Sequence, residues 1–300
     1  MSRRGAFRIF DPHAGPDGDY RILYRFSATQ YTRQRREVLK RLSGHTANRN
    51  FPEIVDFARQ GDEFFVVLAW ITGTNLKRYL TAVRSKKTPR PSVPEVVRLV
   101  RGLTHGVAHY HRRTQLIHGD ISPANIILTT PALQLVLIDF GSAWPIESTA
   151  QHDDGDGATL PYASPERVMK DQLEDFRADA FSLAVIAYEL LTLEIPYDGL
   201  GGRAGLPKLS NTSARSYRNP SKLNAQCRRL PKSTCVLLDD CFARALALSA
   251  NDRFSNVSDW LAAWDQLHDA CRKGERLSTV ERSIVGFLDT LSSLVRRNKS

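Results

Sequence analysis

Short apolar runs separated by turn residues organise the middle of the chain. Ile126 to Leu128 reads as an apolar strand, Thr130-Pro131-Ala132 as a turn, and Leu135 to Ile138 as the returning strand. Closing that hairpin brings its open ends together, so Asn125 and Asp139 become neighbours, with Asp120 on the loop feeding the first strand. Upstream, Tyr20 to Phe26 reads as a strand and Tyr31 to Leu42 as a helix. A proline-rich, basic loop from Arg84 to Pro94 precedes a helix over Glu95 to Arg112. Past Cys271, Ser278-Thr279-Val280-Glu281 forms a capping box. Val280, Ile284, Phe287, Leu288, Leu291 and Val295 then make an apolar stripe on the helix it opens. That stripe either packs back onto the body or docks a partner or a second copy.

Composition narrows the class. A chain of 300 residues, 42% hydrophobic and 25% charged, is globular and long enough for one large domain or two lobes. No apolar run reaches the ~18 residues that span a bilayer, and no charged-then-apolar leader opens the sequence. A soluble, cytoplasmic protein is the expectation. Cys227, Cys235, Cys241 and Cys271 lack the paired close spacing of a zinc site and read as reduced thiols in or near the core. His105 and His109 lie four apart on the Glu95 to Arg112 helix, but no third ligand accompanies them, so they read as ordinary helix histidines. The net charge of +10 is spread over several helices and loops. Such a surface attracts acidic partners in general. No nucleic-acid module accompanies it, so nucleic acid is not the expected partner.

The chemistry concentrates at the hairpin. An amide and a carboxylate side by side, Asn125 and Asp139, suit magnesium, which takes hard oxygen ligands and keeps waters and substrate phosphates. Asp120 is then free to accept a hydroxyl proton. The run from Leu116 to Leu128, containing His118-Gly119-Asp120 and Asn125, followed by Asp139-Phe140-Gly141, resembles the H-R-D-x-x-x-x-N and D-F-G pair of the protein kinases. Thr159 to Glu166 resembles the segment that ends that family's activation loop, where the acceptor region docks. Asp179 to Ala184 resembles the start of the buried helix whose aspartate ties down the catalytic loop. Asn251-Asp252-Arg253-Phe254 is similar to the late arginine motif, which implies an Arg253–Glu166 pair of the bidentate kind. The resemblance covers about residues 5 to 270.

It implies an α+β, bilobal protein-kinase-like fold: a reduced β-rich N-lobe with hinge over 1–71, a mainly helical C-lobe over 72–272, and an extra amphipathic helix over 273–300. It also implies ATP and magnesium as cofactors and a protein, as substrate or regulatory partner. Glu63 to Gly73 resembles the last strand of the small lobe running into the connector. Leu68 then sits at the back of the adenine pocket, and Ala69 to Ile71 offer backbone hydrogen bonds.

The first lobe departs from the pattern. Gly5-Ala6-Phe7-Arg8 fits only the second half of the glycine-rich loop, with Arg3 and Arg8 in register with its first and third glycines. The family's spacing from Phe7 places Arg25 where the phosphate-contacting lysine belongs, and Leu23 where a small residue makes room for adenine. Counting back from Leu42, the helix glutamate that holds the lysine falls on Arg35. The nearest acid, Glu37, lies about 200° around the helix. In the catalytic loop, Gly119 replaces the arginine that commonly answers activation-loop phosphorylation, so phosphorylation at Ser148 or Thr149 is not expected to be required. Ser122 stands where serine/threonine kinases usually carry a lysine. The H-G-D form also occurs in small-molecule phosphotransferases resembling aminoglycoside and choline kinases. Three functions follow in order: phosphorylation of protein serine or threonine, a pseudokinase acting as a binding module, and a small-molecule kinase.

Overall fold

Alternating strands of the first lobe form a twisted antiparallel sheet that places one face over a cleft. The computed structural model describes residues 5–14, 16, 18–27, 33–43, 48–146, 158–169, 174–209 and 216–273, without the side chains of 27, 33–36 and 43. The expectations for Arg3, Arg35, Ser148, Thr149 and the 273–300 helix fall wholly or largely outside that description. Strands β1 (Gly5–Asp11), β2 (Asp19–Ser27), β3 (Ile54–Gln60) and β4 (Glu63–Ala69) pair in the order β1-β2-β4-β3. Helix α1 (Arg33–Ser43) lies against this sheet, and its Val38, Leu39 and Leu42 share a small core with Phe26, Val66 and Leu68. These three helix positions recur at the three- and four-residue spacing of one helical face.

Beyond β4 the chain becomes mainly helical. A short strand β5 (Gly73–Asn75) leads into α2 (Leu76–Arg84), whose first turn is capped by the Asn75 side chain. Helix α3 (Val93–Thr114) starts two residues before its expected first residue, because Ser92 and Glu95 form a reciprocal capping box. After β6 (Leu116–Ile117), strands β7 (Ile126–Thr129) and β8 (Leu135–Leu137) form the predicted hairpin, and β9 (Trp144–Pro145) pairs back onto β6. Helix α4 (Pro165–Met169) is short. Helix α5 (Phe176–Thr192) is buried along nearly its whole length and packs against α3 and against α7 (Lys232–Ala245), which follows α6 (Pro220–Leu223). A last helix over 257–273 adds Trp260, Trp264 and Leu267 to the same core. An all-round apolar helix such as α5 is stable only in such a position.

All four cysteines are free thiols; Cys227, Cys241 and Cys271 are buried. Burial raises the Cys227 thiol to about 11 and the Cys241 thiol to about 12, which keeps both protonated and unreactive. His105 is bonded to Asp265, and no cluster of metal-ligating side chains occurs among the described residues. Among these residues, no helix is long and apolar enough to cross a membrane.

Candidate active site

The loop between β6 and β7 is held from below by one carboxylate. Asp179, in the first turn of α5, accepts the His118 N–H at 2.8 Å through Oδ2 and the Gly119 N–H at 3.0 Å through Oδ1. His111 Nε2 lies 2.7 Å from the same Oδ2. Burial alone would raise this carboxyl. The hydrogen bond and charge of His111, with the charge and N–H of His118, instead hold it below the usual carboxylate range. Asp179 therefore stays ionised and pins two consecutive amides of the β6–β7 loop. Complete burial pushes His118 below its ordinary value, against the pull of Asp179, Asp120 and Asp139. That ring packs on Phe140, with centroids 5.5 Å apart, and Phe140 also contacts Phe51 and Tyr110.

Gly119 has a local reason. Its φ is +74°, and a Cβ there would lie 1.9 Å from Cζ3 of Trp144. Trp144 pairs with Ile117 across the β6–β9 ladder, and the Arg167 guanidinium covers its ring at 3.9 Å. Arg167 reaches Glu174 at 3.4 Å. The indole thus fills the space that a larger side chain at position 119 would need, and neither alanine nor arginine fits there.

Asp120 is the centre of a hydrogen-bond network. Its Oδ2 accepts from Asn125 Nδ2 at 2.7 Å, and its Oδ1 accepts from the Thr159 N–H at 2.9 Å and the Thr159 hydroxyl at 2.8 Å. Asn125 Nδ2 also donates to the Asp120 carbonyl at 2.9 Å. The hairpin brings Asn125 and Asp139 to its open end, where the Ile138 N–H donates to the Asn125 carbonyl at 2.8 Å. Asp139 itself has φ +63°, and its Oδ1 accepts the Gly141 N–H at 2.9 Å. A non-glycine residue in that region stores strain, which in folded proteins concentrates at functional positions. The amide nitrogen of Asn125 is committed to Asp120, which leaves its oxygen as the atom that could meet a cation. One amide oxygen and one carboxylate form a hard-oxygen donor pair that fits magnesium.

Asp139 also lines a narrow pocket between the first-lobe sheet and α1, together with Tyr24, Phe26, Leu39, Leu42, Val66, Leu68 and Phe140. The Ala69 N–H donates to the Glu53 carbonyl at 2.9 Å, which leaves Trp70 and Ile71 as connector residues with N–H groups outside the sheet ladder. Arg25 is not brought to the cleft. On β2, the cavity-lining side chains are Tyr24 and Phe26; Arg25 points to the opposite face, half-exposed, 3.6 Å from Glu63 and over the Phe7 ring. Leu23 shares that outer face, by the alternation of a strand. Glu37 is exposed and bonds Arg41 at 2.9 Å. Ser122 is buried, with its hydroxyl unpartnered.

Arg253 forms two hydrogen bonds to Glu166, at 2.7 and 2.9 Å, both groups being almost fully buried. The pair anchors the segment that carries Thr159. Sequence reasoning missed His111, Trp144 and Arg167, and it named Thr159 only as the start of the 159–166 segment, without its bonds to Asp120.

Residues 26–253 match the protein kinase domain family, and the chain belongs to it. It is 27% identical over 235 residues to the serine/threonine-protein kinase PrkC of Bacillus subtilis, covering 77% of this chain and 33% of that protein. To the serine/threonine-protein kinase PknF of Mycobacterium tuberculosis it is 26% identical over 277 residues, covering 88% and 50%. The chain thus spans a third to a half of the length of these curated relatives. Among solved structures, the Cydia pomonella granulovirus kinase PK-1 gives a TM-score of 0.67 at 16% identity, over 87% of this chain and 89% of that one. The PknI kinase domain of M. tuberculosis gives 0.58 at 20% identity, over 89% and 91%. At these identities the shared property is the bilobal fold.

Proposed function

We propose that the chain transfers phosphate from ATP to serine or threonine hydroxyls of a protein substrate, with magnesium. The observation that carries this reading is the Asp120–Asn125–Thr159 network beside Asp139. PrkC and PknF, both named serine/threonine-protein kinases, support it. Asp120 is fixed by three hydrogen bonds from Asn125 and Thr159, so its carboxylate is oriented to take the proton of an incoming hydroxyl. Asn125 and Asp139 would hold magnesium, which when bound offsets negative charge on the phosphate oxygens. Leu68, on the last strand before the connector, would close the back of the nucleotide space, and the connector from Ala69 to Ile71 would border its edge.

A second reading, a binding module with the same fold, is favoured by two observations. The β2 positions that line the cavity are Tyr24 and Phe26 rather than a cation, and Ser122 is buried. Thermal unfolding with ATP separates the two. The enzyme reading predicts stabilisation by ATP that depends on magnesium and disappears in Asp139→Asn, since only a ligand that binds the folded state raises its stability. Equal stabilisation of wild type and Asp139→Asn would remove Asp139 from the metal site. No response in either protein would favour the binding module.

A further inference from the structure

A basic recess opens in the second lobe between α3 and the turn of the β7–β8 hairpin, at the other end of that hairpin from Asp139. Helix α3 lines it with Arg98, Arg101, Gly102 and His105, and Arg49 and Leu133 close the far side. None of its lining residues borders the pocket that Asp139 lines. Its volume of about 350 Å³ falls in the lower range of ligand sites, ~300–1,000 Å³. Two glycines lie inside α3, and only one has a packing reason. At Gly106 a Cβ would lie 2.6 Å from that of Asn50, whereas at Gly102 it would meet nothing within 4 Å. Glycine inside a helix is destabilising relative to alanine, so the fold alone does not call for Gly102. Its missing side chain keeps the recess open.

We infer that this recess binds a dianionic phosphoryl group, presented as a phosphorylated side chain of another protein or as inorganic phosphate. Arg101 Nε and His105 Nε2 already converge on one oxygen, Oδ1 of Asp265, at 2.6 and 2.8 Å. Arg98 donates to the Leu133 carbonyl at 3.3 Å. Among the described residues, no ion pair engages Arg49 or Arg98. Glu95, one turn before Arg98, feels its charge but is bonded to Ser92 and does not line the recess. Three arginines against the one bonded carboxylate leave two positive charges uncompensated. A phosphate monoester, with about −1.5 to −2 charges at neutral pH, matches that excess, and a single carboxylate does not. The arginine forks also suit phosphate oxygens bidentately. The positive field reaches the adjoining recess that shares Arg98: burial first, then Arg101 and Arg272, push His268 below its ordinary value, against Asp269 and Asp265. This site needs neither ATP nor Asp120, so it stands apart from the phosphate-transfer reading.

Isothermal titration of the full chain without nucleotide tests this, using inorganic phosphate, a phosphoserine peptide and the same peptide unphosphorylated. The phosphoserine peptide should bind and its unphosphorylated form should not. Binding of inorganic phosphate alone would support the site and make the small ion its ligand. The double variant Arg49→Ala/Arg98→Ala should weaken binding by about 10-fold or more, as loss of charged hydrogen bonds does. Gly102→Leu should fill the recess and abolish binding, while its melting temperature stays at or above that of wild type, because leucine favours the helix. Arg228→Ala/Arg229→Ala, an exposed basic pair elsewhere on the lobe, should bind as wild type does. An equal loss in that control would overturn the assignment, by showing only diffuse attraction to a basic surface. Undiminished binding in Gly102→Leu would also overturn it, by placing the anion elsewhere, the catalytic cleft included. So would a wild type that binds neither phosphate probe.

Discussion

Arg253→Ala should destabilise the protein by about 3–5 kcal/mol, because it leaves the Glu166 carboxylate buried without its partner. Glu166 and Arg253 are both nearly inaccessible to solvent and meet through two hydrogen bonds. The guanidinium also donates to the carbonyls of Arg177, Ala247 and Leu248, and it covers the Phe181 ring at 4.8 Å. Its loss therefore uncouples α5 from the 159–166 segment as well as stranding a charge. The double substitution Arg253→Met/Glu166→Leu removes both charges and should recover much of the stability, since an apolar pair of similar volume is often no worse than a buried ion pair. Urea unfolding monitored by tryptophan fluorescence measures both. A loss below about 1 kcal/mol in Arg253→Ala, the range of exposed pairs, would show that the pair is solvated and not structural.

Gly119→Ala should lower catalytic efficiency by about 100-fold, the scale of an ångström-sized misplacement in an active site. The added Cβ would lie 1.9 Å from the Trp144 ring and 3.0 Å from the Ser142 carbonyl, on a backbone with φ +74°. The loop must move to relieve this contact, and its next residue is Asp120. The indole cannot retreat easily, because the Arg167 guanidinium lies over its ring and is itself buried against Glu174. Trp144→Leu in the same chain should return part of the activity by opening space. Steady-state kinetics with peptide substrate reads the effect, and unchanged catalytic efficiency in Gly119→Ala would show that the catalytic loop is not braced by Trp144.

The second lobe was legible because its chemistry is local. Asn125 and Asp139 flank one hairpin, so turn residues alone place them, whereas the Ser92–Glu95 capping box, equally local, was not read and the helix start was set two residues late. The Arg253–Glu166 pair was legible only through family resemblance. The first lobe was misjudged at a single point. Counting from Phe7 through the 12–18 connection put Arg25 on the cleft side, whereas the register Arg8–Ile22–Leu68 puts it outside. A one-residue slip in a strand exchanges its two faces completely, so a correct strand was read with its side chains inverted. His111, Trp144 and the Thr159–Asp120 contact were invisible for a different reason: each depends on a partner brought close only by the tertiary fold.

The most direct test of the account is phosphate transfer itself. Purified full chain, incubated with magnesium, radiolabelled ATP and a generic protein acceptor, should place label on serine or threonine. Asp120→Asn should reduce that rate by about 10²–10⁴-fold, the contribution of a positioned general base, while leaving Mg·ATP binding intact. Equal labelling by wild type and Asp120→Asn, or a wild type that binds Mg·ATP yet labels no protein, would contradict the assignment of this site as a protein phosphotransferase.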